Sequence, residues 1–194
     1  MNTPSRRLWL QAAATLAATP ALANATSTAP ALRGSGDLGL VILRASGAVA
    51  VVNTTQRAVL GRIEGLGDLS HASVVYARDG ARAFVFGRDG GLSRVNLLSL
   101  QLEARVMQAG NSIGGAISQD GRLVVAQNYQ PGGIKAFDAA TLELLADIPA
   151  LNERGERSRV VGLADLPGHR FAYALFDADA ICVADLSNPR EPQL

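Results

Sequence analysis

The sequence predicts an all-β protein, an incomplete β-propeller built of four-stranded blades with about four blades present. Three observations predict it. Four strand-like segments ending in Asn or Asp recur at a near-constant interval. An Asp-Gly pair recurs in step with them. Beyond residue 23, no stretch shows the sustained 3.6-residue periodicity of an amphipathic helix.

The recurring segments are Ala48–Asn53, Gly91–Asn96, 133–138 and Ala180–Asp185, and their last residues stand 43, 42 and 47 apart. Each reads as an apolar strand running into a polar residue that opens a turn. Asp79-Gly80 and Asp120-Gly121, 41 apart, read as tight turns leading into the apolar strands 83–86 and 123–126. Arg170–Leu175 holds that place in the last unit, after Pro167-Gly168. Residues 103–107 supply a more polar outer strand, and 39–43 is too short and β-branched for a core helix. About 170 residues at roughly 43 per repeat give close to four blades. The chain stops where another would begin, so a truncated larger ring is expected.

The N-terminus reads as an export signal. Ser5-Arg6-Arg7-Leu8-Trp9 places an arginine pair before the weakly apolar stretch 12–18, and Ala21-Leu22-Ala23 offers a cleavage site. The expectation is a twin-arginine signal over residues 1–23, a flexible mature N-terminus over 24–36 and the propeller over 37–194, with a periplasmic destination. The apolar stretch falls short of the roughly 20 residues a membrane-spanning helix needs, so no stable membrane insertion is expected.

Removing the two leader arginines from 18 basic residues leaves 16 against 17 acidic ones. That near-neutral balance argues against nucleic acid as a partner. Cys182 is the single cysteine and reads as a small core residue. No Cys-x-x-Cys-His run is present for covalent heme, and no zinc, EF-hand or phosphate-loop pattern appears. Gly87-Arg88-Asp89-Gly90-Gly91 joins two strands and reads as a hairpin turn. His169 reads as a turn residue.

The unusual residues gather in the connections that precede each blade's first strand: 65–73, 110–116 and the stretch holding Arg157, Ser158 and Arg159. In a propeller such connections share one face, where ligands bind. His71 stands out there because an imidazole can ligate heme iron.

Ser70-His71-Ala72-Ser73, followed by Phe84-Val85-Phe86-Gly87-Arg88-Asp89-Gly90-Gly91, resembles the d1-heme propeller of cytochrome cd1 nitrite reductase. The resemblance runs through 138–143 to 185–189, about half of an eight-bladed domain. Within that superfamily, 65–73, 110–121 and 128–133 resemble the branch that serves heme d1 biosynthesis. What the resemblance implies is a non-covalent heme d1 or precursor as ligand, His71 as iron ligand, and Arg88, Asn111 and Arg159 as groups around the tetrapyrrole. It also implies other heme d1 maturation proteins and nitrite reductase as partners, in support of denitrification. The reductase pattern departs at two arginine positions, here Asn111 and Val74, and no c-type heme motif precedes the propeller. Both departures put nitrite reduction in doubt. Whether a maturation protein of this kind catalyses an oxidoreductase-type step or holds and hands on an intermediate is left open. The competing reading is a non-enzymatic propeller that binds protein partners, with His71 incidental.

Overall fold

A computed structural model describes residues 35–194; residues 1–23, read as an export signal, and the stretch 24–34 lie outside the described residues. Four antiparallel meanders follow one another along the chain. The first holds β1 (Leu38–Leu43), β2 (Ala48–Asn53) and β3 (Ala58–Ile63). The second holds β4 (Ser73–Tyr76), β5 (Arg82–Phe86), β6 (Gly91–Asn96) and β7 (Gln101–Met107). The third holds β8 (Asn111–Ile117), β9 (Leu123–Gln130), β10 (Ile134–Asp138) and β11 (Leu144–Ile148). The fourth holds β12 (Val160–Leu166), β13 (Arg170–Leu175) and β14 (Ala180–Asp185). Helix among the described residues is confined to two three-residue 3-10 turns, Ser35–Asp37 and Arg44–Ser46.

The register explains the repeat. Asn53 pairs with Leu38, Asn96 with Arg82, Asp138 with Leu123 and Asp185 with Arg170, so the four recurring segments are one and the same strand of successive blades. By that register, and among the described residues, the first sheet shows no counterpart of β4 and the fourth none of β7. The recurring Asn or Asp has a physical task. Its side-chain oxygen accepts backbone N–H groups of the following turn: Gln56 N to Asn53 at 2.6 Å, Leu98 N to Asn96 at 2.9 Å, Ala140 N to Asp138 at 2.9 Å and Ser187 N to Asp185 at 2.8 Å. Asp79 does the same for Ala81 N at 2.9 Å, and Gly80 takes the positive φ of 64° that its turn requires.

Strands in the middle of the second and third sheets are apolar on both faces because both faces are covered. Ala83 and Val85 face a layer shared with the first sheet, among Val49, Val51, Leu66 and Leu69. Phe84 and Phe86 face the opposite layer, with Ile117, Val124 and Phe137 of the third sheet. Val125 then turns to a layer with Val160, Phe171 and Tyr173 of the fourth. The period-2 alternation of a strand thus serves two separate cores at once. Burying side chains of this size stabilises by about 1.5–3 kcal/mol each.

One expectation needs correcting. Residues 110–116 read as a connection before a first strand, yet Asn111–Ile117 is itself a ladder strand, β8. The glycines are there for clearance. A Cβ on Gly115 would stand 2.3 Å from both Phe86 Cζ and the carbonyl oxygen of Val125, so only glycine lets the second sheet close on the third.

At the end of the sheets that carries the Asp-Gly turns, polar contacts tie neighbours together. Arg78 donates to the carbonyls of Ser118 and Ile117, both at 3.0 Å. His169 Nε2 stands 2.8 Å from Asp120 Oδ2 and joins the third and fourth sheets. The Asp120 carboxyl is held well below the usual range, first by the Ser118 hydroxyl and then by His169.

Candidate functional site

In a four-stranded meander the first strand starts where the second-to-third turn lies. His71 precedes β4, Arg88 lies in the β5–β6 turn, Asn111 opens β8 and Arg159 precedes β12. All four predicted site residues therefore fall at one end of their sheets, opposite the Asp-Gly turns; this is the upper end below. β8 packs against both β4 and β12, so these first strands are neighbours.

The His71 connection is built from the inside outward. Leu66 and Leu69 are fully buried and anchor it to the layer beneath. Asp68 Oδ1 accepts Ser70 N at 2.8 Å, and contact with Ser70, foremost through its hydroxyl, lowers the Asp68 carboxyl. The β5–β6 turn locks on to the same connection. Arg88 N donates to the Asp68 carbonyl at 2.8 Å, and Asp89 Oδ2 accepts Asp68 N at 3.2 Å. Arg105 pairs with Asp89 at 2.6 Å. Gly67, at φ 77°, makes room for this, since a Cβ there would stand 2.2 Å from Asp89 Oδ2. The backbone beside His71 is thus fixed while the His71 and Arg88 side chains stay exposed. Of the two histidines, His169 is held by a carboxylate and His71 is open to a ligand.

Arg159 is engaged by neighbouring side chains. Its guanidinium forms an ion pair with Asp177, with Nε at 3.0 Å from the carboxylate, and donates to the Tyr129 hydroxyl. It lies 5.0 Å from the Tyr129 ring centroid and 4.5 Å from that of Phe176. The close Asp177 carboxylate raises the Arg159 pKa. The pairing lowers the Asp177 carboxyl to about 2, first through the Arg159 side chain. A lowered carboxyl stabilises the fold above its ordinary pKa near 4, and that contribution is lost as pH falls toward about 2. In urea melts taken from pH 5 to pH 2, Asp177→Asn is expected to lose stability less steeply than the wild type. Equal slopes would mean that the pair adds nothing.

The sequence did not single out Tyr129, Phe176, Asp177, Gln108 or Gln127, and the repeat register contains the signal that finds three of them. Counting six residues on from the pairing positions Leu38, Arg82, Leu123 and Arg170 gives Arg44, Arg88, Tyr129 and Phe176. One position in successive blades therefore presents two arginines and then two aromatic rings at the upper end. Gln127 stands where Phe86 stands in the preceding blade. Beside it, Gln108 and Asn128 exchange hydrogen bonds of 2.9 and 3.0 Å in a buried pair. Asn111 Oδ1, Gln127 Oε1 and Ser73 Oγ are buried without a protein partner. Val74, at the second position where the reductase pattern has arginine, packs against the apolar layer between the first two sheets.

No group of three or more His, Cys, Asp and Glu side chains able to hold a bare metal ion occurs among the described residues. No described helix is long and apolar enough to cross a membrane. The exposed imidazole, the arginines and rings at the same end of the sheets, and the buried oxygens without partners suit a flat, polar-edged ligand better than an ion.

Blade-like sheets with such a face are what the comparisons match. The cytochrome D1 heme domain family profile matches residues 33–193, and the chain belongs to that family. The particular relatives are the curated proteins called Protein NirF. The one from Pseudomonas aeruginosa is 56% identical over 170 residues, covering 87% of this chain and 43% of its own. The one from Stutzerimonas stutzeri is 56% identical over 165 residues, covering 84% and 42%. The chain thus spans less than half the length of these relatives. Among solved structures, dihydro-heme d1 dehydrogenase NirN in complex with DHE superposes with a TM-score of 0.74 at 26% identity, over 86% of this chain and 36% of that one. A functionally unknown protein from Desulfotomaculum acetoxidans, TM-score 0.68 at 13% identity over 81% and 49%, shares the fold.

Proposed function

We propose that this is a periplasmic protein of heme d1 biosynthesis that binds a d1-type heme precursor at its upper end and takes part in a late maturation step, supporting nitrite reductase and denitrification. The observation that carries the reading is His71: an exposed imidazole on a connection pinned by Leu66, Leu69 and the Asp68–Asp89 contacts, directly before a first strand. The 56% identity to the NirF proteins and the likeness to a NirN structure holding its ligand support it.

In this reading the precursor is cargo held without a covalent bond. Iron in the tetrapyrrole would offer a coordination position to His71, and other residues of this chain would meet the edge of the ring. Arg88 offers an exposed guanidinium to peripheral carboxylates. Asn111 lies beside the buried polar cluster as a hydrogen-bonding group. Arg159, already paired with Asp177, holds Tyr129 and Phe176 in place and presents them as a stacking wall. The Arg6-Arg7 leader pattern supports export by the twin-arginine route.

Titrating heme d1 into the full-length protein tests the proposal. A saturable visible-absorbance change is expected, and Arg88→Gln should weaken binding by about two- to fivefold, as for an exposed ion pair. A folded protein that leaves the heme spectrum unchanged would instead favour a propeller that binds protein partners.

A further inference from the structure

Where β4 packs on β8, two buried polar atoms are left without partners by the protein. Gln127 is 9% exposed and its Oε1 receives no hydrogen bond from the protein. Ser73 Oγ, on β4, is buried and equally without a partner. The two side chains share the space over Gly114, where a Cβ would stand 2.9 Å from Ser73 Oγ and 3.1 Å from Gln127 Nε2. Gly114 is the ladder partner of Gln127, and its bare backbone lets the amide reach over β8 toward the neighbouring sheet. A buried amide oxygen without a donor costs free energy. The fold avoids that cost a residue away, where Gln108 and Asn128 satisfy each other. The preceding blade avoids it too, by placing Phe86 at the position of Gln127. A glutamine there, next to a glycine that clears its path, is a departure from the repeat that packing does not explain.

We infer that the space between Ser73 and Gln127 is a hydrogen-bonding subsite for an uncharged substituent of the ligand that both donates and accepts: a hydroxyl or a carboxyl in its protonated form. Such a group gives its proton to Gln127 Oε1 and accepts the Ser73 hydroxyl. A carboxylate has no proton to offer that oxygen, so ionised substituents are directed to Arg88 and neutral ones to this subsite. This sets the orientation of a ligand ring bound at the upper end, and it rests on the tetrapyrrole reading above.

Gln127→Met in the full-length protein is the test, since it keeps length and volume and removes both polar atoms. Without ligand, the variant is expected to melt about 2–4 °C higher than the wild type, because an unpartnered buried oxygen is gone. Its affinity for heme d1 is expected to fall about tenfold, the loss of one hydrogen bond. Ser73→Ala should show the same pair of opposite signs. Equal heme d1 affinity in wild type and Gln127→Met would overturn the subsite and leave the tetrapyrrole reading standing. A lower melting temperature for ligand-free Gln127→Met would also overturn it, by assigning the space to a structural water. A folded wild type that binds no heme d1 would overturn both.

Discussion

His71→Ala is expected to abolish the iron-ligation signature in the visible spectrum of the heme d1 complex and to weaken binding by about 10- to 100-fold. The size follows from what is removed. A coordinate bond to iron is directional and has no substitute nearby, because the other described histidine sits at the opposite end, held by Asp120. The fold should not notice the change. His71 is exposed, and the connection that carries it is secured by Leu66, Leu69, Asp68 and Asp89. Surface substitutions of this kind usually shift stability by less than about 0.5 kcal/mol. The melting temperature without ligand should therefore match the wild type, and added imidazole should restore the ligation band in the variant. A variant that keeps the wild-type spectrum would remove His71 from the site.

Phe86→Ala carries the largest expected effect on stability, a loss of about 3–5 kcal/mol. Phe86 is fully buried, in the layer that joins the second and third sheets. Against a total of about 5–15 kcal/mol for a domain, that loss lowers the melting temperature by about 6–20 °C. The cavity resists repair from the facing strand. A Gly115→Ala change would set a Cβ 2.3 Å from the carbonyl oxygen of Val125, a backbone atom that removing the ring does not move. The double variant is thus expected to be no more stable than Phe86→Ala, whereas Phe86→Leu should cost less than about 1.5 kcal/mol. Denaturant unfolding of the three variants decides it, and a small loss in Phe86→Ala would mean that the two sheets settle together to fill the space.

The repeat was legible because the turns reuse one chemical device. Asn53, Asn96, Asp138 and Asp185 each gather the N–H groups of the next turn, and that task admits few residue types. Strands covered on both faces show as unbroken apolar runs, which is why 83–86 and 123–126 could be placed. β8 was misread for a related reason: its glycines answer to Phe86 and Gln127 in space, and neither is near them in sequence. The upper end was legible in part. His71 and Arg88 stand out as residues in conspicuous loops, and both lie exposed at that end. The Asp177 clamp on Arg159 did not show, since it depends on the pairing of β12 with β13, which sets the β13–β14 turn beside the residue that precedes β12. Tyr129 and Phe176 needed the ladder register, which a difference of 42 against 47 between repeats conceals until strand pairing is known.

Strands that belong to two cores at once bear on how quickly anything at the upper end can come and go. Tilting one sheet away from its neighbour would open the layer that holds Phe84 and Phe86 and drag the Val85 layer behind it. Slow swinging of whole blades is therefore a poor route for exchange of the proposed ligand. Side chains and turn tips reorient on nanosecond to microsecond scales without disturbing either layer. Traffic at this face is then governed by local rearrangements such as the turning of His71 and Arg88, over a floor that stays still.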